Sequence, residues 1–212
     1  MSGWRAGGTA LRLLLVVTVL TLPVVAGGAV RPAEGAKSSP ELWEVVLKEH
    51  GPRGDLESLF WVAVAHANLG RIEESRQAFQ RLDTADPQRT AAVAIAEKSR
   101  ARLVKEPHDL QALNGVAFLA YAEGNYAEAA TGFREVVRLD PQNPWARSYL
   151  GFSLGKAGRI DEAVRVLEEG VRLFPDNEIL HFLLGLAYYQ KGAIVRALIE
   201  MAKAPRAVRY FR

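Results

Sequence analysis

Apolar residues recur through most of the chain at the three- and four-residue steps that are typical of amphipathic helices. The clearest example is the stretch 144–177, which the pattern predicts to be a helix, a turn at Gly158, a second helix and a stop at Pro175. Glycine adopts the left-handed backbone that ends a helix at little cost, and proline cannot continue a helix. The pattern therefore predicts pairs of helices joined by tight turns.

These helix pairs recur at a fixed step, equal to the spacing from Gly124 to Gly158. The same types of residue return at this step in four independent registers: Gly124, Gly158 and Gly192; Ala129, Ala163 and Ala197; Pro107, Pro141 and Pro175; and the bulky Phe133, Leu167 and Met201. Gly151 and Ala163 are small, which indicates that the two helices of one pair cross closely there. Neither helix can bury its apolar face alone, so such pairs stack into a solenoid with a concave side.

Two copies of a short motif fall within this period. They are Leu150-Gly151-x2-Leu154 with Ala163-x3-Leu167 and Pro175, and Leu184-Gly185-x2-Tyr188 with Ala197-x3-Met201. The motif and its period resemble the tetratricopeptide repeat family, over residues 56 to 204. The resemblance implies an all-α fold, a superhelical solenoid of antiparallel helix pairs, preceded here by an N-terminal signal or anchor segment. It implies an architecture rather than an activity.

One interruption of the period shapes the expected domain organisation. Gly70 precedes Gly124 by more than one period, and the surplus corresponds to the segment 90–109. A single extra helix in that interval reverses the up-down alternation and predicts a break in the superhelix. We expect the following segments: 1–29 signal peptide or uncleaved anchor, 30–39 linker, 40–54 capping helix and turn, 55–89 degenerate first repeat, 90–109 inserted single helix, 110–143 and 144–177 full repeats, 178–204 C-terminal repeat, and 205–212 basic aromatic tail.

The segment 1–29 has the layout of a secretory signal peptide. Two arginines and no acidic residue precede the apolar run 13–22, Pro23 follows it, and small residues lead to cleavage after Ala26 or Ala29. The alternative is an uncleaved anchor, because the stretch 13–30 is entirely uncharged and its length is close to the lower limit for a membrane span. In either case the repeats are expected outside the cytoplasm: periplasmic, on the cell surface or secreted, and membrane-anchored if the segment is retained.

Composition and motifs give no support to catalysis. The chain has no cysteine, a net charge of +3 and four histidines, none of them in a metal-binding spacing. Phosphate-binding loops and nucleophile motifs are absent from the sequence. We therefore expect a non-enzymatic protein with no cofactor, no metal and no nucleic-acid partner, and with membrane contact only through residues 1–29.

The remaining candidate for function is the concave wall formed by the first helices of the repeats. Family members that clamp a C-terminal carboxylate use Lys, Arg and Asn there, whereas this wall is aromatic and apolar. Exposed aromatic rows mark binding surfaces, which predicts a groove for an apolar or aromatic peptide or a partner helix, centred on the third and fourth repeats. The predicted groove residues are Phe118, Tyr121, Trp145, Tyr149, Phe152, Phe182, Leu186 and Tyr189.

Two alternatives stay open from the sequence. In the first alternative, neighbouring repeats or the inserted helix cover the aromatic wall, and the wall is then part of the core rather than a binding surface. The chain also lacks a polar capping helix after its last repeat, so Ala197, Leu198, Met201 and Ala204 are expected to be uncovered. The second functional hypothesis is therefore a self-associating structural component of an envelope complex, assembled through this end.

Overall fold

The computed structural model describes residues 39–207, in which ten α-helices and no strands are present. The predicted signal segment, the linker up to residue 38 and the last five residues of the basic tail lie outside the described residues. The helices are α1 (Ser39–His50), α2 (Leu56–Asn68), α3 (Ile72–Ala85), α4 (Thr90–Lys105), α5 (Leu110–Ala122), α6 (Tyr126–Leu139), α7 (Pro144–Lys156), α8 (Ile160–Leu173), α9 (Glu178–Gln190) and α10 (Ile194–Ala202).

Four helix pairs share one turn, which confirms the prediction for the periodic glycines. Gly70, Gly124, Gly158 and Gly192 have φ values of 73°, 76°, 79° and 80°, in the left-handed region. After each glycine the next backbone N–H donates to a carbonyl five residues back, as from Arg159 to Leu154 O at 2.9 Å. This bond satisfies a carbonyl that the helix end would otherwise leave unpaired. The turn thus fixes the antiparallel arrangement within each pair.

Small residues allow the helices of a pair to approach closely, as the sequence indicated. A Cβ built on Gly151 would lie 2.5 Å from Cδ2 of Leu167, across the α7–α8 contact. One repeat later, a Cβ on Gly185 would lie 2.7 Å from Cγ of Met201 and 3.0 Å from the backbone oxygen of Ala197. These distances are far below ordinary van der Waals contact, so a larger residue at either position would force its neighbours to move.

The inserted helix α4 changes the orientation of the first helix pair, α2 and α3, relative to the later pairs. Asn68 ends α2, and its Nδ2 donates to Oδ1 of Asn114 near the start of α5 at 3.0 Å. Asn143, the N-cap of α7, donates from Nδ2 to Oδ1 of Asn68 at 3.2 Å. The C-terminal end of α2 therefore lies beside the N-terminal ends of α5 and α7, and α2 runs opposite to both. The single extra helix between the first pair and α5 produces this reversal.

The last helix is held to α9 by a buried polar cluster. Nδ1 of His181 lies 2.6 Å from Oε2 of Glu200, and its Nε2 lies 2.8 Å from the backbone oxygen of Pro175. Lys203 also donates to Glu200, at 2.8 Å. Burial raises the pKa of Glu200, but the hydrogen bonds from Lys203 and His181 outweigh this effect and leave the pKa below its ordinary value. Glu200 is thus ionised in the folded state at neutral pH.

The expectation of an uncovered C-terminal end needs a correction. Ala197 and Ala204 are buried, and Met201 is half-buried against Gly185 of α9. These side chains are covered within the last pair and do not depend on a following repeat. Of the four residues expected to be uncovered, Leu198 is the exposed one, at 63%.

Among the described residues, no helix is both long and apolar enough to cross a bilayer.

Candidate functional site

The eight residues predicted to line the groove differ widely in exposure. Phe118 is 1% exposed and Phe182 is 8% exposed, so both rings belong to the core. Tyr189, at 60%, is fully on the surface. The other five are half-buried, with one side on the core and one on solvent: Tyr121, Trp145, Tyr149, Phe152 and Leu186. The predicted wall is therefore not one uniform exposed row.

Four of the predicted residues come together in one aromatic cluster on α5 and α7. The ring centroids of Phe118 and Tyr149 are 4.8 Å apart, and those of Tyr121 and Tyr149 are 5.6 Å apart. Phe152 joins through Tyr121, also at 5.6 Å, and Phe133 of α6 stacks on Tyr149 at 5.4 Å. Ring pairs at these separations stabilise one another beyond the area they bury. The cluster is a rigid surface rather than a set of independent side chains.

The first repeat covers part of this wall. Coverage by a neighbouring repeat was one of the alternatives that the sequence left open. Phe79 of α3 lies 6.0 Å from Phe118, centroid to centroid. The indole of Trp145 packs on the α2–α3 turn so closely that a Cβ on Gly70 would lie 2.2 Å from its ring. Phe79 belongs to the degenerate first repeat, and the sequence did not predict its contact with α5. No local signal marks it, because the contact depends on the reversed orientation of α2 and α3.

A groove remains between α3 and the aromatic cluster. It has a volume of about 540 Å³. One side is polar and belongs to α3, with Arg76, Gln80, Asp83 and Thr84, while the floor and far side are Phe79, Phe118, Tyr121 and Tyr149. We call this feature the α3 groove.

The charges at the rim of the α3 groove are already paired within the chain. Arg76 donates to Glu73 at 2.6 Å, and its hydrogen bond, with a second from Gln77, lowers the pKa of Glu73 to about 2. Asp83 lies 3.5 Å from Arg89. Since neither Arg76 nor Arg89 is left to anchor a carboxylate, the groove presents aromatic surface with an internally neutralised polar border.

The two tyrosines of the α3 groove stay protonated under physiological conditions. Burial raises the pKa of Tyr121, with smaller contributions from Tyr149 and Tyr126, and burial alone raises the pKa of Tyr149. A neutral phenol both donates and accepts a hydrogen bond. Each ring therefore offers a bound chain an apolar face and one adaptable polar atom.

A second cleft lies between α8, α9 and α10, with a volume of about 400 Å³. Its polar groups largely satisfy each other: Lys191 lies 2.7 Å from Asp161, and the hydroxyl of Tyr188 donates to Glu168 at 2.6 Å. A ligand would have to compete with these internal bonds, so this cleft is the weaker candidate. Within the described part of the chain, no three His, Asp or Glu residues are grouped so that they could hold a metal ion.

Comparisons with known proteins agree with this architecture. One tetratricopeptide repeat model matches residues 41–90, 88–144 and 150–210, and a second matches 120–179. No curated protein matches the chain.

Among solved structures, MamA from MSR-1 is similar at a TM-score of 0.51 and 21% identity, over 71% of this chain and 94% of that one. MamA from AMB-1 is similar at a TM-score of 0.52 and 21% identity, over 69% of this chain and 88% of that one. At this identity the likeness concerns the fold alone.

Proposed function

The chain belongs to the tetratricopeptide repeat family, and we propose that it is a protein-interaction scaffold which binds an apolar or aromatic peptide segment in the α3 groove. The observation that carries the proposal is the aromatic floor of that groove, formed by rings held rigidly on α3, α5 and α7. Aromatic anchors that lose water on binding dominate the energy of such interfaces. Binding requires no chemistry from the chain.

The size of the α3 groove favours an extended peptide over a partner helix. Its volume of about 540 Å³ is in the range of small-ligand pockets, about 300–1,000 Å³. An α-helix is about 10 Å across and several turns would exceed this space, whereas two or three side chains of an extended segment fit. The centre of the proposed site therefore lies between the first repeat and α5 and α7, rather than on the third and fourth repeats.

The pairing of the rim charges supports an interaction that resists salt. Arg76 and Asp83 each have an internal partner, so a peptide gains little from long-range attraction to either side chain. Salt at 0.1 M largely screens the interaction between exposed charges more than about 10 Å apart, but it does not weaken the burial of apolar surface. We expect affinity to change little between low and high salt.

We further propose that this scaffold acts outside the cytoplasm, in an assembly process of the cell envelope. The support for this part is the signal-like layout of residues 1–29.

Substitution of two glutamines on α3, one inside the groove and one outside it, tests whether peptides bind in the α3 groove. Gln80 lines the groove, whereas Gln77 is exposed on the same helix outside it. Short random peptides displayed on phage would be selected on the full chain, and the selected peptides titrated by fluorescence anisotropy. We expect Gln80→Trp to fill the groove and weaken binding about tenfold or more, or about 1.4 kcal/mol. Gln77→Trp should bind as the unmodified chain does.

Two results would contradict the proposal. In the first, both tryptophan variants bind the selected peptides equally well, which would locate the site elsewhere. In the second, the selected peptides are strongly charged and their binding is lost at high salt, which would indicate an electrostatic clamp. Circular dichroism of each variant confirms that the helices are intact.

A further inference from the structure

We propose that the outer face of α10 docks on the surface of an anionic lipid membrane. Four large apolar side chains of this short helix face solvent: Ile194 is 47% exposed, Val195 72%, Leu198 63% and Ile199 52%. At about 100° per residue they occupy one stripe about 140° wide. Such a continuous apolar stripe on a surface helix is a mark of an interaction site.

Two of these side chains, Ile194 and Leu198, stand at positions that are apolar and more buried in other helix pairs, as at Ile160 and Val164 of α8. Leu198 corresponds, one period earlier, to Val164 of α8, which is 6% exposed because the next helix pair covers it. Among the described residues no helix pair follows α10, and this absence of a neighbour explains why Leu198 is exposed. It does not explain Val195 and Ile199, whose equivalents face solvent in every other pair.

At the positions of Val195 and Ile199 the other helix pairs carry charged, polar or small residues. The equivalents are exposed in all three pairs: Glu73 and Gln77 in α3, Ala127 and Thr131 in α6, and Asp161 and Arg165 in α8. The outer face of α10 is thus more apolar than the corresponding faces of α3, α6 and α8. A missing neighbour does not produce that change, since the outer face would be solvated even in a longer array.

The charges around the stripe favour an anionic partner. Glu200, the acidic residue of α10, is turned inward towards His181 and has a side chain only 13% exposed. Arg196 lies beside one edge of the stripe, is exposed and packs over the ring of Tyr188. Lys203 and Arg206 are also exposed near that edge, and they pair with Glu200 and Glu178, respectively. Tyr189, 60% exposed, adds an aromatic ring near the same end of the chain. Apolar residues bordered by cations and an aromatic ring are the composition of helices that lie in a membrane interface.

A membrane surface fits this face better than a second copy of the chain. Two copies paired through α10 would bring the same cations against each other. A helix of nine residues is about 13 Å long, and pairing it alone buries much less than the roughly 1,200 Å² of a specific interface. The same helix is far too short to span a bilayer, which takes about 20 residues, and would lie in the interface plane. This contact is additional to any made by residues 1–29.

A local reporter on α10 separates this contact from any binding by the N-terminal segment. The chain has no cysteine, so Leu198→Cys in the full chain takes a single environment-sensitive dye. The probe is vesicles of phosphatidylcholine with or without phosphatidylglycerol. We expect a blue shift of the dye on phosphatidylglycerol vesicles and little shift on phosphatidylcholine alone. The same dye on Val104→Cys, an 84% exposed position of α4, should not shift.

A matched variant tests the apolar face itself. Val195→Asp with Ile199→Arg installs the residue types that α8 carries at the same two positions, Asp161 and Arg165. Because the repeat already accommodates these residues in α8, we expect the variant to fold. In this background the shift at residue 198 should be lost. No shift on either kind of vesicle, or an equal shift at residue 104, would overturn the proposal. A shift that grows with protein concentration in the absence of vesicles would overturn it in favour of self-association.

Discussion

Replacing Gly151 by alanine tests how closely α7 and α8 pack. The added Cβ would lie 2.5 Å from Cδ2 and 2.6 Å from Cγ of Leu167. Leu167 is only 1% exposed, so its side chain would have to shift within the packed core. Overpacking of this kind costs about 1–3 kcal/mol, while alanine in place of glycine gains up to about 1 kcal/mol of helix propensity. We expect the free energy of unfolding to fall by up to about 2 kcal/mol, the difference between these two effects.

Gly155 on the same helix provides the matched control. A Cβ there would find its nearest neighbour at 3.6 Å, the Oε1 atom of Gln190, which is ordinary contact. Gly155→Ala therefore gains helix propensity without overpacking, and comparing it with Gly151→Ala roughly cancels the propensity contribution. Urea denaturation followed by circular dichroism should place the two variants about 1–3 kcal/mol apart. Equal free energies of unfolding would refute the close packing and the repeat register inferred from it.

Three further predictions concern the first repeat, the last helix and the N-terminus. Asn68→Ala leaves Oδ1 of the fully buried Asn114 without its donor and should cost about 1–3 kcal/mol in denaturation; an unchanged midpoint would contradict the reversed packing of α2. The pKa of Glu200 is lowered by folding, so its stabilisation is present above the unfolded pKa and is lost as the pH falls through the folded one. Glu200→Gln should therefore flatten the loss of stability below about pH 4.5 in acid titrations, and an identical profile would contradict this. N-terminal sequencing of protein recovered outside the cytoplasm should begin near Gly27 or Val30, whereas an intact Met1 on membrane-bound protein indicates an anchor.

The helix pairs and their turns were predictable because they depend on local features that recur. Each period carries its own glycine at the turn, and its φ value follows from the need to end one helix and start the next within a few residues. The need for a small residue at Gly151 was also readable, since the repeat itself marks the crossing point. Such features require no knowledge of distant parts of the chain.

The candidate site was only partly predictable, because it depends on contacts outside the period. The amide pair of Asn68 and Asn143 joins residues 75 positions apart, and no repeat register connects them. The extra helix predicted a reversal, but not that Phe79 would then face Phe118 and leave a groove beside α3. The apolar positions Val195 and Ile199 were visible in the sequence, but their meaning required knowing which face of α10 is turned to solvent.

A crystal structure of the chain with a selected peptide would show directly whether the α3 groove is the binding site. We expect an aromatic or large aliphatic side chain of the peptide to lie in the α3 groove, against Phe79 and Tyr149, with α3 in its present place. A peptide bound instead in the cleft between α8 and α10, or one that displaces α2 and α3 from the aromatic cluster, would contradict it.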